Sequence, residues 1–195
     1  MYLLGLTGSI GMGKSTTAQM FVDEGCALWD ADAAVHRLYS EGGAAVDPFS
    51  KVFPDAVIDG AVSRPALKQI IAEDSTALRK IEAIIHPLVG EDRAAFLAQT
   101  QADIVVLDIP LLFETGGDTR MDATVCVMTD DATQEARVMA RGTMTKAQFD
   151  TIKSKQMPAR EKAARATYVI KTDTLDHART QVQNIVSTIR SQRDA

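Results

Sequence analysis

The sequence predicts an α/β protein with a five-stranded parallel sheet flanked by helices. Short apolar runs alternate with longer helical stretches along the chain. Two of those runs, Ile104–Asp108 and Ala123–Met128, are continuous rather than alternating, as strands covered on both faces require. A glycine-rich turn, Gly8-Ser9-Ile10-Gly11-Met12-Gly13-Lys14-Ser15, joins the first run to the first helix.

The first strand is expected at Leu3 to Thr7. The helix after the glycine turn runs to about Glu24, with Ala18, Phe21 and Val22 at helical spacing and Gly25 as its stop. A second strand, Cys26 to Trp29, ends in Asp30-Ala31-Asp32. From Ala33 to about Thr100 the chain reads as almost purely helical. Ser63 before Arg64-Pro65 marks one helix start. Ser75 is expected to cap another helix, ending at Ile85, and Pro87 to break it and open the next. Strands at 104–108 and 123–128 are each followed by a helix. A charged helical stretch, 132–166, is interrupted by Gly142 and Pro158. The last strand is Tyr168 to Ile170, and a final helix runs from about Leu175 to Gln192. No repeat or linker is visible, so 1–195 reads as one domain.

Of the 195 residues, 46% are hydrophobic, enough for one substantial core. The net charge of −5 carries no basic surplus, so a nucleic-acid polymer is not an expected partner. Cys26 and Cys126 stand apart in apolar runs and read as reduced, buried thiols. The first residues lack the basic flank and apolar stretch of a signal peptide, and no run reaches the ~20 apolar residues that span a bilayer. A soluble cytoplasmic protein is the expectation.

The turn at 8–15 fits G-x-x-x-x-G-K-S without mismatch, which predicts a P-loop NTPase fold. Its glycines let backbone N–H groups point inward around a β-phosphate, and the helix N-terminus behind it favours an anion. Gly8, Gly11, Met12 and Gly13 would form the cradle. Lys14 would reach the β- and γ-phosphates, and the Ser15 hydroxyl would ligate Mg²⁺. Thr16 adds a hydroxyl near the α-phosphate. ATP and Mg²⁺ are the expected cofactors, but the loop does not name the acceptor.

A GTPase switch would need N-K-x-D, and Asn184 in the last helix is the only asparagine. A small-molecule kinase needs an acceptor-side carboxylate, cations for the moving phosphoryl, and a lid that excludes water. Asp30 and Asp32 follow the second strand at the carboxyl edge of the sheet, where ligands bind. At i, i+2 on extended chain only one would be catalytic, and either could instead cap a helix. Asp108 ends the third strand, where it could hold Mg²⁺ through water or bond loop amides. Arg137 and Arg141 share a helix face and could clamp phosphates or be solvated. Lys153, Lys155 and Arg160 read as solvated.

Several segments in order then resemble one family: Gly5 through Thr16, Asp30-Ala31-Asp32 followed by His36, Ile85-His86-Pro87, Ile109-Pro110-Leu111-Leu112-Phe113-Glu114, and Gln134 with Arg137 and Arg141. Together they look like dephospho-CoA kinase, over essentially the whole chain. The resemblance implies ATP-dependent phosphorylation of the ribose 3′-hydroxyl of dephospho-CoA, giving CoA and ADP in the last step of CoA synthesis. It implies that Asp32 is the base or hydroxyl-orienting group, with Lys14 and Arg141 stabilising the moving charge. It implies that 31–100 is a helical CoA-side insertion and that 132–166 is a lid. His36, His86, Pro110 and Leu111 would line the acceptor site, and Arg137 and Thr172 the nucleotide site. One departure is visible: Lys171-Thr172-Asp173 stands where the family often has an asparagine-containing turn. Other small P-loop kinases, acting on nucleoside monophosphates or shikimate, are the nearest alternative. A non-catalytic nucleotide-gated switch is a further one. Oligomeric state, monomer or weak oligomer, is not readable.

Overall fold

The computed structural model describes residues 1–193. Its elements, in order, are β1 (Tyr2–Thr7), α1 (Lys14–Asp23), β2 (Ala27–Asp30), α2 (Ala31–Tyr39), α3 (Val46–Val52), a 3₁₀ turn (Pro54–Ala56), β3 (Val57–Ile58), β4 (Ala61–Val62), α4 (Arg64–Glu73) and α5 (Ala77–Gln99). There follow β5 (Ile104–Asp108), a 3₁₀ turn (Gly117–Arg120), β6 (Ala123–Met128), α6 (Asp131–Ala140), α7 (Lys146–Lys155), α8 (Ala159–Arg165), β7 (Tyr168–Lys171) and α9 (Leu175–Arg193).

The chain divides into two compact units. One holds Met1–Trp29 and the chain from Gln101 onward; the other is Asp30–Thr100. In the first, five strands form a parallel sheet in the order β2-β5-β1-β6-β7. Leu4 pairs with Val106 on one side and Ala123 on the other, so β1 is central. The strand order reverses around β1, and the loop leaving such a strand is where an open parallel sheet binds ligands. Leu4, Leu6, Val106, Val125 and Val127 pack with Phe21 of α1 and Val182, Val186 and Ile189 of α9. Val105, Leu107 and Cys126, at the alternate positions of the same strands, are buried as well, so these continuous apolar strands are covered on both faces. Val22 is the exception within α1: it is 36% exposed and lies outside the core.

The second unit packs Phe49, Phe53, Leu67, Ile81 and Ile85 together, with Tyr39 edge-on to Phe49 at 5.4 Å. Three expectations fail here. The stretch is not purely helical, because β3 and β4 form an antiparallel hairpin. Asp59 and Gly60 both have positive φ at its turn, and Asp-Gly between Val57-Ile58 and Ala61-Val62 is the chemistry such a turn requires. Pro87 does not break the chain either: α5 runs through it for 23 residues. Leu88, Val89, Ile84 and Ile85 on both sides of the proline pack on one core, and this packing outweighs the lost helical hydrogen bond. Nor does Ser75 cap that helix; the Asp74 carboxylate accepts the Thr76 N–H and hydroxyl at 2.7 Å each. The Ser63 cap is present, its hydroxyl accepting the Ala66 N–H.

The charged stretch 132–166 comprises three helices, α6 to α8, parted where Gly142 and Pro158 interrupt it. Thr145 and Gln148 form a reciprocal capping box that starts α7. Among the described residues, no helix is long and apolar enough to cross a membrane.

Candidate active site

The glycine loop leaves β1 and delivers the chain into α1. Gly11 and Gly13 have φ of +79° and +91°, a region that costs other residues. A β-carbon on Gly8 would stand 2.3 Å from Val127 Cγ2, so the loop lies directly on β6. Gly13 is the N-cap of α1; among the described residues no side chain caps that helix, and no acidic residue occupies its first turn. Its first N–H groups thus lack a side-chain cap, as an anion-binding terminus requires. Lys14 forms an ion pair with Asp108, which is buried at the end of β5. The Ser15 and Thr16 side chains are exposed beside it. A cation and a carboxylate held in contact at an uncapped helix N-terminus suit an ammonium that can exchange its partner for a phosphate.

Three side chains far away in sequence hold the loop in shape. The Ile10 carbonyl accepts Gln134 Nε2 at 2.7 Å, and the Ile10 N–H donates to Gln156 Oε1 at 3.2 Å. The Thr172 hydroxyl donates to the Met12 carbonyl at 2.7 Å. Gln134 is fully buried, and its Oε1 has no hydrogen-bond partner among the described residues.

Beside the loop lies a cavity of about 220 Å³, lined among others by Gly13, Thr16, Arg137, Arg141, Thr172 and Leu175. Arg137 does not point freely into it. Its guanidinium donates to the Thr172 hydroxyl at 3.1 Å and carbonyl at 2.6 Å, so that backbone carbonyl is already engaged. Arg141, the C-cap of α6, is exposed at the rim.

Pro110 and Leu111 follow β5. Ile109 makes a backbone bond to Leu6, and the Pro110 carbonyl then accepts both the Thr7 hydroxyl, at 3.0 Å, and Lys162 Nζ, at 2.8 Å. Leu111 is 42% exposed. Lys162, which the sequence did not single out, is completely buried on α8 and also pairs with Glu114 at 2.9 Å. Burial alone would push the Glu114 carboxyl up, but donors from Lys162 and the Met157 N–H hold it below the usual range. Burial pushes the thiols of Cys26 and Cys126 up to about 11.

The remaining candidates belong to the second unit. Asp30 ends β2 and its side chain caps α2 by accepting the Ala33 N–H at 2.9 Å. Asp32 stands in the first turn of α2, exposed and outside the cap, so the two carboxylates do not lie on one extended segment. His36 is exposed on the same helix, with Nδ1 3.5 Å from the Ser40 hydroxyl. His86 is exposed in the middle of α5.

The described residues contain no group of three His, Cys, Asp or Glu side chains that could hold a metal. Ser15 and Asp108 offer only hard oxygen donors. That fits Mg²⁺, which keeps most of its waters and takes further ligands from phosphates.

A family model described as dephospho-CoA kinase matches residues 2–177. A dephospho-CoA kinase of Ruegeria pomeroyi is 71% identical over 97% of this chain and 96% of its own. One of Cereibacter sphaeroides is 55% identical, covering 100% and 98%. Among solved structures, TT1252 of Thermus thermophilus superposes with a TM-score of 0.87 at 32% identity, covering 96% of each chain. The dephospho-CoA kinase of Campylobacter jejuni gives 0.71 at 21% identity, covering 98% of each, a likeness of fold.

Proposed function

The chain belongs to the dephospho-CoA kinase family, and from that membership we propose which residues carry the reaction. ATP phosphorylates the ribose 3′-hydroxyl of dephospho-CoA, giving CoA and ADP. The Lys14–Asp108 ion pair beneath an uncapped helix N-terminus is the observation that best supports the nucleotide side.

ATP lies with its phosphates in the loop 8–15, against the N–H groups of Gly11, Met12, Gly13 and the first turn of α1. Lys14 leaves Asp108 for the β- and γ-phosphate oxygens. Thr16, Arg137 and Thr172 flank the nucleoside side, in keeping with the cavity they line. Bound Mg²⁺ supplies positive charge at the transferring phosphoryl, and Ser15 and Asp108 are the residues that would hold it. Arg141 closes over that phosphoryl from the rim of the cavity, with α6 to α8 acting as a lid. The family resemblance assigns acceptor binding to His36 and His86, on the helices after β2, and to Pro110 and Leu111, after β5. Asp32 accepts the hydrogen bond of the 3′-hydroxyl, aligns the oxygen in line and takes its proton. Little bond-making chemistry is left to the protein, which provides position and charge. The free, unpaired state of both buried cysteines fits a reducing, cytoplasmic setting.

ADP release by the purified protein, measured with dephospho-CoA, with nucleoside monophosphates and with shikimate, tests the acceptor. Stimulation by dephospho-CoA is expected. Its absence, or stimulation only by another acceptor, overturns the reading.

A further inference from the structure

A lysine with none of its side chain exposed is costly unless its ammonium is paired and hydrogen-bonded. Lys162 meets that condition with two acceptors in one short segment, the Pro110 carbonyl and the Glu114 carboxylate. Stability alone does not call for such a group, because an apolar side chain of similar volume commonly serves a packed site as well or better.

What the lysine does fix is the path of the chain after β5. Pro110 has no N–H, so the backbone pairing that ends with Ile109 cannot continue through it. Its carbonyl is instead held between the Thr7 hydroxyl, at the end of β1, and Lys162, on α8. Glu114 closes the same segment at its far end, accepting Lys162 and the Met157 N–H at 3.0 Å. Arg165, one helical turn after Lys162, lies 4.8 Å over the Phe113 ring and 3.4 Å from Asp118. Helix α8 therefore grips 110–118 at several points, and Lys162 is the buried one at the end next to Leu111.

We propose that Lys162 is a positioning residue for phosphoryl transfer, acting through the Pro110 carbonyl and the Glu114 carboxylate to hold Pro110 and Leu111 where the acceptor binds. It touches neither nucleotide nor acceptor. The inference rests on the assignment of Pro110 and Leu111 to the acceptor side. Lys162 should consequently govern acceptor use and leave nucleotide affinity alone.

The test uses Lys162→Met and Glu114→Gln in the full chain. Thermal melting, affinity for a non-hydrolysable ATP analogue, and steady-state kinetics with dephospho-CoA are measured for each. Misplacement of a binding segment by about 1 Å costs on the order of 10²-fold, so kcat/KM for dephospho-CoA is expected to fall by ~10–100-fold in Lys162→Met. Affinity for the ATP analogue stays at the wild-type value. Glu114→Gln falls in the same direction but less, because the bond to Pro110 survives. The double variant is no worse than Lys162→Met, as expected for residues acting as one unit. Unchanged acceptor kinetics in a folded Lys162→Met, or analogue affinity falling in step with kcat/KM, overturns the proposal. If Lys162→Met does not fold, Glu114→Gln decides by the same split. Wild-type protein that turns over no dephospho-CoA refutes the acceptor reading itself, a separate outcome.

Discussion

Replacing Gly11 with alanine separates the loop's backbone geometry from the chemistry of Lys14. Two costs add. An alanine at φ +79° is left-handed backbone, worth about 1–2 kcal/mol against it. Its β-carbon would also stand 2.6 Å from Val138 Cγ2 and 3.0 Å from the Gln134 carbonyl oxygen. Backbone in α6 cannot yield as a flexible side chain does, so overpacking adds about 1–3 kcal/mol. Gly25 is the control. Its φ is +84°, but a β-carbon there meets only Arg190 Nη2 at 3.7 Å, an ordinary contact. Gly25→Ala therefore carries the first cost alone. For a chain of this size 1 kcal/mol lowers Tm by about 2–4 °C, so midpoint values give losses near ~5 °C for Gly25→Ala and ~10 °C for Gly11→Ala. Affinity for an ATP analogue, read by calorimetry below both melting points, falls only for Gly11→Ala, because only there must the phosphate-binding turn move. Equal melting points would refute the overlap with α6, and unchanged affinity in Gly11→Ala would refute the assignment of this turn to the phosphates.

Lys14→Met is expected to abolish measurable phosphoryl transfer in the ADP-release assay while the protein still folds; retained turnover contradicts the role given to the ammonium. Asp32→Ala, at an exposed position, leaves the melting curve in place and lowers CoA formation by at least ~100-fold, the usual contribution of a general base. Near-normal turnover in that variant would remove Asp32 from the mechanism. The Glu114 carboxyl lies below its ordinary range despite burial, so its fastening of α8 is fully present above the unfolded carboxylate's pKa. That contribution is lost as pH falls through the lower, folded value. Denaturant unfolding from neutral to acid pH therefore shows a stability loss that Glu114→Gln lacks; identical profiles for the two proteins would exclude this carboxylate as a source of acid lability.

Much of the fold is legible because local and global demands agree. Val105, Val106 and Leu107 are apolar in succession, which only a doubly covered strand satisfies, and all three are buried. Gly8 through Ser15 state their conformation by themselves, since few other residues could adopt it. Pro87 misleads for the opposite reason. The proline's local preference is real, but the apolar faces on both sides of it share one core, and that packing is invisible along the chain. The hairpin at Asp59-Gly60 did carry a signal, a turn dipeptide between two short apolar runs, outweighed by the helical reading around it.

The amino-acid sequence by itself determined the phosphate loop, the strands of the parallel sheet and, through its scattered short segments, the family; the helix expected between β5 and β6 is only the 3₁₀ turn Gly117–Arg120. Each of these rests on residues adjacent in the chain or on patterns read one residue at a time. Only the tertiary structure decided which groups those residues meet. Arg137 could have been a phosphate clamp or a solvated charge; its guanidinium bonds Thr172, 35 positions away. Asp30 and Asp32 could each have capped a helix until one began at Ala31 and took Asp30 as its cap. Lys162 reads as one more charge in a charged helix, and becomes a buried fastening only when Pro110 and Glu114 are brought to it. A side chain's charge is local, but the cost of burying it, and the partners that offset that cost, exist only after the chain has folded.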